Sequence, residues 1–142
     1  MKIRQIILDT NVLVSALRSN QGASFKLLSL LRGGKFKIHL SVALVCEFED
    51  VLKRENIGIN LSRKDVDRLL DILCLSGEKH KIWYQWRPLL NDAKDEFVAE
   101  LAVNAQVDAI ATHNIKHFQN VRQFGVEVLT PSEFLRLIGE IK

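Results

Sequence analysis

The hydrophobic positions fall into short blocks whose spacing changes along the chain. Ile3 to Leu8 ends in Ile6-Ile7-Leu8, β-branched and apolar without alternation, which predicts a strand buried on both faces. Val12 to Leu17 predicts a helix or helical turn. Ala23 to Leu31 carries Phe25, Leu27, Leu28, Leu30 and Leu31 at helical spacing and ends at Gly33-Gly34. Phe36 to Leu40 predicts a second strand. Ser41 then caps a helix running to about Arg54, with Leu44, Val45, Phe48, Val51 and Leu52 on its apolar face. Ser62 opens a helix over Arg63 to Leu75 that closes at Ser76-Gly77. Lys79 to Trp86 predicts a strand, Asp92 to Ala105 a helix, Asp108 to Thr112 a short buried strand and Ile115 to Phe118 a helical turn. Val126 to Leu129 is a last strand, and Thr130-Pro131 begins a terminal helix.

Strands that alternate with helices predict an α/β fold with a central parallel sheet covered on both faces. Ligand sites in such sheets lie beyond the carboxyl ends of the strands. That places Asp9, after the first strand, on the same edge as Thr112, His113 and Asn114. Glu47 borders the apolar face of its helix, while Glu49 and Asp50 point outward. Asp95 precedes Val98, Ala99 and Ala102 by three, four and seven residues, on the inward stripe, and Glu96 and Glu100 are expected to face water. Three carboxylates from distant segments thus take inward or border positions with no obvious basic partner. Buried carboxylates are paired or bind metal. Hard oxygen donors of this kind suit Mg²⁺ or Mn²⁺.

Taken singly, these residues carry little. Asp92 and Asp95 in a first helical turn complement the helix dipole, Glu47 alone reads as a solvated helix residue, and Asn114 equally well starts a helical turn. His113 and His117 are four apart but lack a third zinc ligand, so an ordinary surface or ligand-facing pair is expected. The constellation is what points to a site.

"ILDTNVLVSAL", then "LSVALVCEFEDVL", then "NDAKDEFVAELAVNAQVDAIATHNIKHF" together resemble a PIN domain from about Ile6 to Phe118. Within that family the chain is most similar to the toxin components of toxin–antitoxin pairs, the VapC-like ribonucleases. The resemblance implies a three-layer α/β/α sandwich spanning 1–142 as a single PIN-like domain. It also implies a Mg²⁺- or Mn²⁺-dependent endoribonuclease site that leaves a 5′-phosphate and a 3′-hydroxyl. It puts the catalytic positions on Asp9, Glu47, Asp95 and Asn114, the first three as metal ligands. Thr10, Asn11, Asp92 and Thr112 fall on supporting positions. Asn114 stands where the family carries a fourth acid. An amide can coordinate through its carbonyl but brings no charge, so a second metal is expected to bind more weakly. His113, Lys116 and His117 are placed to contact phosphates, and Trp83, Tyr84 and Trp86 to stack on bases. An RNA substrate, a cognate antitoxin and a homodimer are the partners implied.

The bulk numbers agree. A chain of 142 residues is most simply one domain, and 47% hydrophobic with 26% charged residues is ordinary for a soluble protein. No apolar run approaches a membrane span, and no signal peptide is recognised, so a cytoplasmic location is expected. Cys46 and Cys74 show no metal spacing and are expected to be reduced core residues. The net charge of +3 is compatible with a polyanionic partner. The alternative is a PIN-like domain that binds RNA or a protein without cleaving. A phosphatase with two aspartates at 9 and 11 is excluded by Asn11. A receiver domain lacks its acid pair and its lysine, and glycine-rich phosphate loops are absent.

Overall fold

The structure is a computed structural model that describes residues 3–81 and 93–142, with the backbone alone at 93–95. The elements follow as β1 (Arg4–Leu8), α1 (Thr10–Arg18), α2 (Ala23–Ser29), β2 (Phe36–Ser41), α3 (Val42–Leu52), α4 (Arg63–Ser76), β3 (Glu78–His80), α5 (Ala93–Ala105), β4 (Ala109–Ala111), a 3-10 helix (Ile115–Phe124), β5 (Glu127–Leu129) and α6 (Pro131–Leu137). The five strands are all parallel, in the order β3-β2-β1-β4-β5.

Consecutive residues of a strand point to opposite faces of the sheet. Ile6, Ile7 and Leu8 are all buried, as are Ala109, Ile110 and Ala111. Both faces of the two central strands are therefore covered, as the expected α/β/α layering requires. Phe36 meets Phe134 of α6 edge to face, with centroids 5.6 Å apart. Ile38, Leu40, Leu44, Phe48 and Leu73 fill the core alongside.

The helix starts follow from their caps. The Ser41 hydroxyl accepts from Leu44 N at 3.2 Å. Ser62 and Thr130 each form a reciprocal capping box, with Asp65 and Glu133 respectively. Pro131 takes the first turn of α6 as expected.

Several expectations are corrected. α1 begins at Thr10, two residues before the apolar block, because Asp9 is its cap. The turn after β4 extends to Phe124 as a 3-10 helix, burying Phe118 and Val121. Cys46 is exposed, on the outer face of α3 with Val42, Glu49 and Asp50, and Cys74 is half-buried; both are free. Glu96 is buried rather than solvated and Glu100 is half-buried. The reason is that α5 packs against β1, β2, α3 and the 3-10 helix, so more than one stripe of it is covered. Of the strand expected over Lys79 to Trp86, Lys79 and His80 belong to β3, which begins one residue earlier at Glu78; Trp83, Tyr84 and Trp86 lie outside the described residues. Among the described residues no helix is long and apolar enough to cross a membrane.

Candidate active site

The strand order reverses direction at β1: β2 lies on one side of it and β4 on the other. Residues leaving the carboxyl ends of β1 and β4 therefore flank the crevice where such sheets bind ligands. Asp9 and Thr112 are those residues.

Asp9 is buried and extended, and it is fixed from three directions. Its amide donates to Ala111 O at 3.0 Å, tying it to β4. Its Oδ1 accepts from Thr10 N at 2.8 Å, the capping bond of α1. Its Oδ2 accepts from the Thr112 hydroxyl at 2.8 Å. Thr112 is fully buried, and its oxygen also accepts from Asn114 N at 3.0 Å and from Asn11 Nδ2 at 3.4 Å. Asn11 Oδ1 in turn accepts from His113 N at 3.2 Å. Thr112 and Asn11 thus lace the loop after β4 to the start of α1.

Glu47 reaches the same place from α3. Its Oε2 accepts from the Thr10 hydroxyl at 2.5 Å. Thr10 is the link between the acids: its amide donates to Asp9 and its hydroxyl to Glu47. Two carboxylates separated by 38 positions in sequence are held on one residue, at the end of the strand where the sheet order turns.

These residues line a cleft of about 690 Å³ together with Asn11, Val14, Ser15, Arg18, Ser19, Val51, Arg54, His113, Asn114 and His117. Asn114 precedes the 3-10 helix, makes no capping bond with its side chain and is exposed to the cleft. Lys116 is exposed but does not line the cleft, so the structure does not group it with His113 and His117. Asp95 is the third residue of α5, a helix packed against both β1 and α3; its side chain and the whole of Asp92 lie outside the described residues.

Arg18 and Arg54 had not been singled out in the sequence. Arg18 donates to Ile57 O through Nε at 2.8 Å and Nη2 at 2.6 Å, and Arg54 pairs with Asp50 at 2.8 Å. Helical spacing carries the signal. Asn11, Ser15 and Arg18 stand at i, i+4 and i+7 on α1, and Glu47, Val51 and Arg54 repeat that spacing from α3. Arg18 closes α1 two turns from Asn11, and Arg54 stands two residues past the end of α3.

His113 Nε2 and the Ser24 hydroxyl share a hydrogen bond of 3.0 Å. Burial holds the His113 imidazole below its ordinary pKa, so it stays neutral in the cleft at neutral pH. Around Asp9 and Glu47 the donors are carboxylate, hydroxyl and amide oxygens, which fit a hard divalent cation such as Mg²⁺ or Mn²⁺, with the imidazoles of His113 and His117 also on the cleft wall.

The PIN domain family matches residues 5–116. No curated protein matches. Among solved structures, VapBC2 from Rickettsia felis, bound to a DNA fragment from its promoter, is similar with a TM-score of 0.59. The two are 20% identical, and the match covers 87% of this chain and 98% of that one. At that identity the likeness speaks for the fold.

Proposed function

Because the chain belongs to the PIN domain family, we propose that it is a Mg²⁺- or Mn²⁺-dependent endoribonuclease acting as the toxin of a toxin–antitoxin pair. The observation that carries this reading is the convergence of Asp9 and Glu47 on Thr10 in an open cleft at the sheet's switch point. Both carboxylates accept from Thr10 and line the same cleft, an arrangement of hard oxygens that a divalent cation can share.

Asp9, Glu47 and Asp95 would hold the ion. When bound, a divalent ion lowers the pKa of a coordinated water and polarises the scissile phosphate. The chain's own groups do the rest. Thr112 and the Thr10 amide fix the two Asp9 oxygens, so the carboxylate need not reorganise as charge develops. The Thr10 hydroxyl aims Glu47. A carboxylate of the cluster accepts the water's proton. Arg18, Arg54 and His117, on the walls of the cleft, are placed to meet the phosphates flanking the cut.

The antitoxin partner is proposed on the likeness to the Rickettsia felis VapBC2 complex. A homodimer is proposed with it, supported by the exposed Val42 and Leu75. We read 1–142 as one domain with a cytoplasmic location. One observation favours a second reading, binding without cleavage: Asn114 faces the cleft where the family carries an acid.

The test is cleavage of a mixed set of single-stranded and structured RNAs with Mg²⁺, with Mn²⁺ and with EDTA, reading the product ends. Metal-dependent products bearing 5′-phosphates support the nuclease. EDTA should lower the rate about 10²–10⁴-fold, the several kcal/mol a metal ion supplies to such a step. Tight RNA binding with no product under any metal supports the second reading.

A further inference from the structure

A second cluster of metal-binding side chains lies on the other side of β1 from β4, where β2 pairs with the edge strand β3. His39, Glu78 and His80 each offer a ligand atom, and the three atoms lie within 4.8 Å of one another. Register explains this. His39 stands directly opposite Glu78 across the β2–β3 pair, and His80, two residues on, points to the same face as Glu78. The acidic cleft supplies hard oxygens. This cluster supplies two imidazoles and one carboxylate, a set that suits zinc and its transition-metal neighbours rather than Mg²⁺.

The polarity of the network is set from Gln5. Gln5 Nε2 donates to Ile3 O at 3.3 Å, which turns the amide oxygen toward His39. That oxygen accepts from His39 Nε2 at 2.5 Å, so the ring proton sits on Nε2. The neutral His39 ring therefore presents its Nδ1 lone pair, and Nδ1 lies 2.7 Å from His80 Nε2. A metal-bound histidine is typically held in this way, with its second ring nitrogen donating to a carbonyl that fixes tautomer and orientation. His39 itself is buried, at 4% exposure, so the arrangement is set by the core rather than by a mobile surface chain.

We propose that His39, His80 and Glu78 form a zinc-class metal site, separate from the acidic cleft, that clips the edge strand β3 to β2. The pair of rings shares a hydrogen bond as it stands. Two nitrogens about 2.0–2.1 Å from one tetrahedral zinc would lie roughly 3.3 Å apart. Loading therefore asks the rings to part by roughly 0.6 Å, a motion available to the half-buried His80, whose ring proton moves from Nε2 to Nδ1 through solvent so that Nε2 can ligate. Glu78, exposed at the rim, closes the third position, and water takes the fourth. β3 has only three residues and, among the described residues, one neighbouring strand, so a clip here fixes a short edge of the sheet. The site stands whether or not the cleft cleaves RNA.

The experiment is calorimetric titration of the metal-stripped full-length protein with Zn²⁺, with Co²⁺ absorption as a second readout. Wild type and Asp9→Asn should each bind one zinc at this site and give the visible d–d bands of tetrahedral Co²⁺. His80→Ala should lose both signals, and Glu78→Gln, an exposed change with little effect on folding, should weaken binding. Gln5→Ala, which removes no ligand, should weaken it about 10–100-fold, the usual loss when a histidine's orienting partner goes. The far-ultraviolet circular dichroism of each variant checks that it is folded. The proposal is overturned if wild type takes up no zinc, if His80→Ala and Glu78→Gln bind it as wild type does, or if Asp9→Asn alone abolishes uptake.

Discussion

At the scale of single residues, Thr112 has the largest share of the cleft's order. It is fully buried, donates to Asp9, and accepts from Asn114 N and Asn11 Nδ2. Thr112→Val keeps the shape and removes the hydroxyl. It leaves Asp9 Oδ2 one donor short and the Asn114 amide without its acceptor, so unfolding in urea should show a loss of about 1–3 kcal/mol. An unchanged midpoint would mean that water replaces the hydroxyl. His113 gives a pH dependence. Burial lowers its folded pKa below the ordinary 6.5, so the unfolded chain binds the proton more readily. The contribution is fully present above pH 6.5 and is lost as pH falls from there toward the folded value. Asp9, Glu47, Arg18, Arg54 and His117 face the same cleft, and Ser24 is the direct partner. Urea midpoints taken between pH 7.5 and 5.5 should fall on acidification, and less in His113→Asn than in wild type.

At the scale of elements, local chemistry decides where α1, α3, α4 and α6 start. Ser62→Ala removes the α4 capping box and should cost about 0.5–2 kcal/mol. Gly77, which ends α4, has no need of unusual dihedrals; space is its reason. A Cβ there would lie 2.9 Å from Ile38 Cγ1, 2.9 Å from Leu40 Cδ1 and 3.0 Å from Leu73 O. Gly77→Ala should therefore destabilise by about 1–3 kcal/mol, read from the same denaturation curves. Such signals made most elements legible. Ser41, Ser62 and Thr130 cap the helices the periodicity pointed to, and the blocks at Ile6, Ile38, Ile110 and Val128 are four of the five strands. What escaped has a physical cause in each case. The 3-10 helix from Ile115 to Phe124 lacks the 3.6-residue repeat that pattern reading looks for. Cys46 was expected inside because cysteine is usually buried, yet α3 turns it outward. Glu96 is buried because α5 is packed on several sides, which a single-stripe reading of the helix misses.

At the scale of the whole molecule, the sheet order turns scattered residues into one site. Asp9, Thr112 and Glu47 could be placed from strand ends and a helix face, Thr10 and Asn11 only from the family resemblance; the structure sets these five side by side, and the Asp95 side chain lies outside the described residues. Arg18 and Arg54 were missed because an arginine at or just past a helix end reads as solvated surface until a second helix is set beside it. The His39–Gln5–His80 network was missed for a similar reason. It depends on cross-strand register, which short strands leave open in sequence.

The central claim is that the acids joined through Thr10 are the reaction centre, and one substitution tests it most directly. Asp9→Asn keeps the size of the side chain and removes its charge. Its RNA cleavage should be compared with wild type in saturating Mn²⁺, with thermal midpoints measured on both. The account predicts a folded variant whose cleavage rate falls at least about 10²-fold, as expected when a metal's charged ligand is lost. A variant that cleaves RNA at the wild-type rate would contradict it and would move the chemistry away from the cleft.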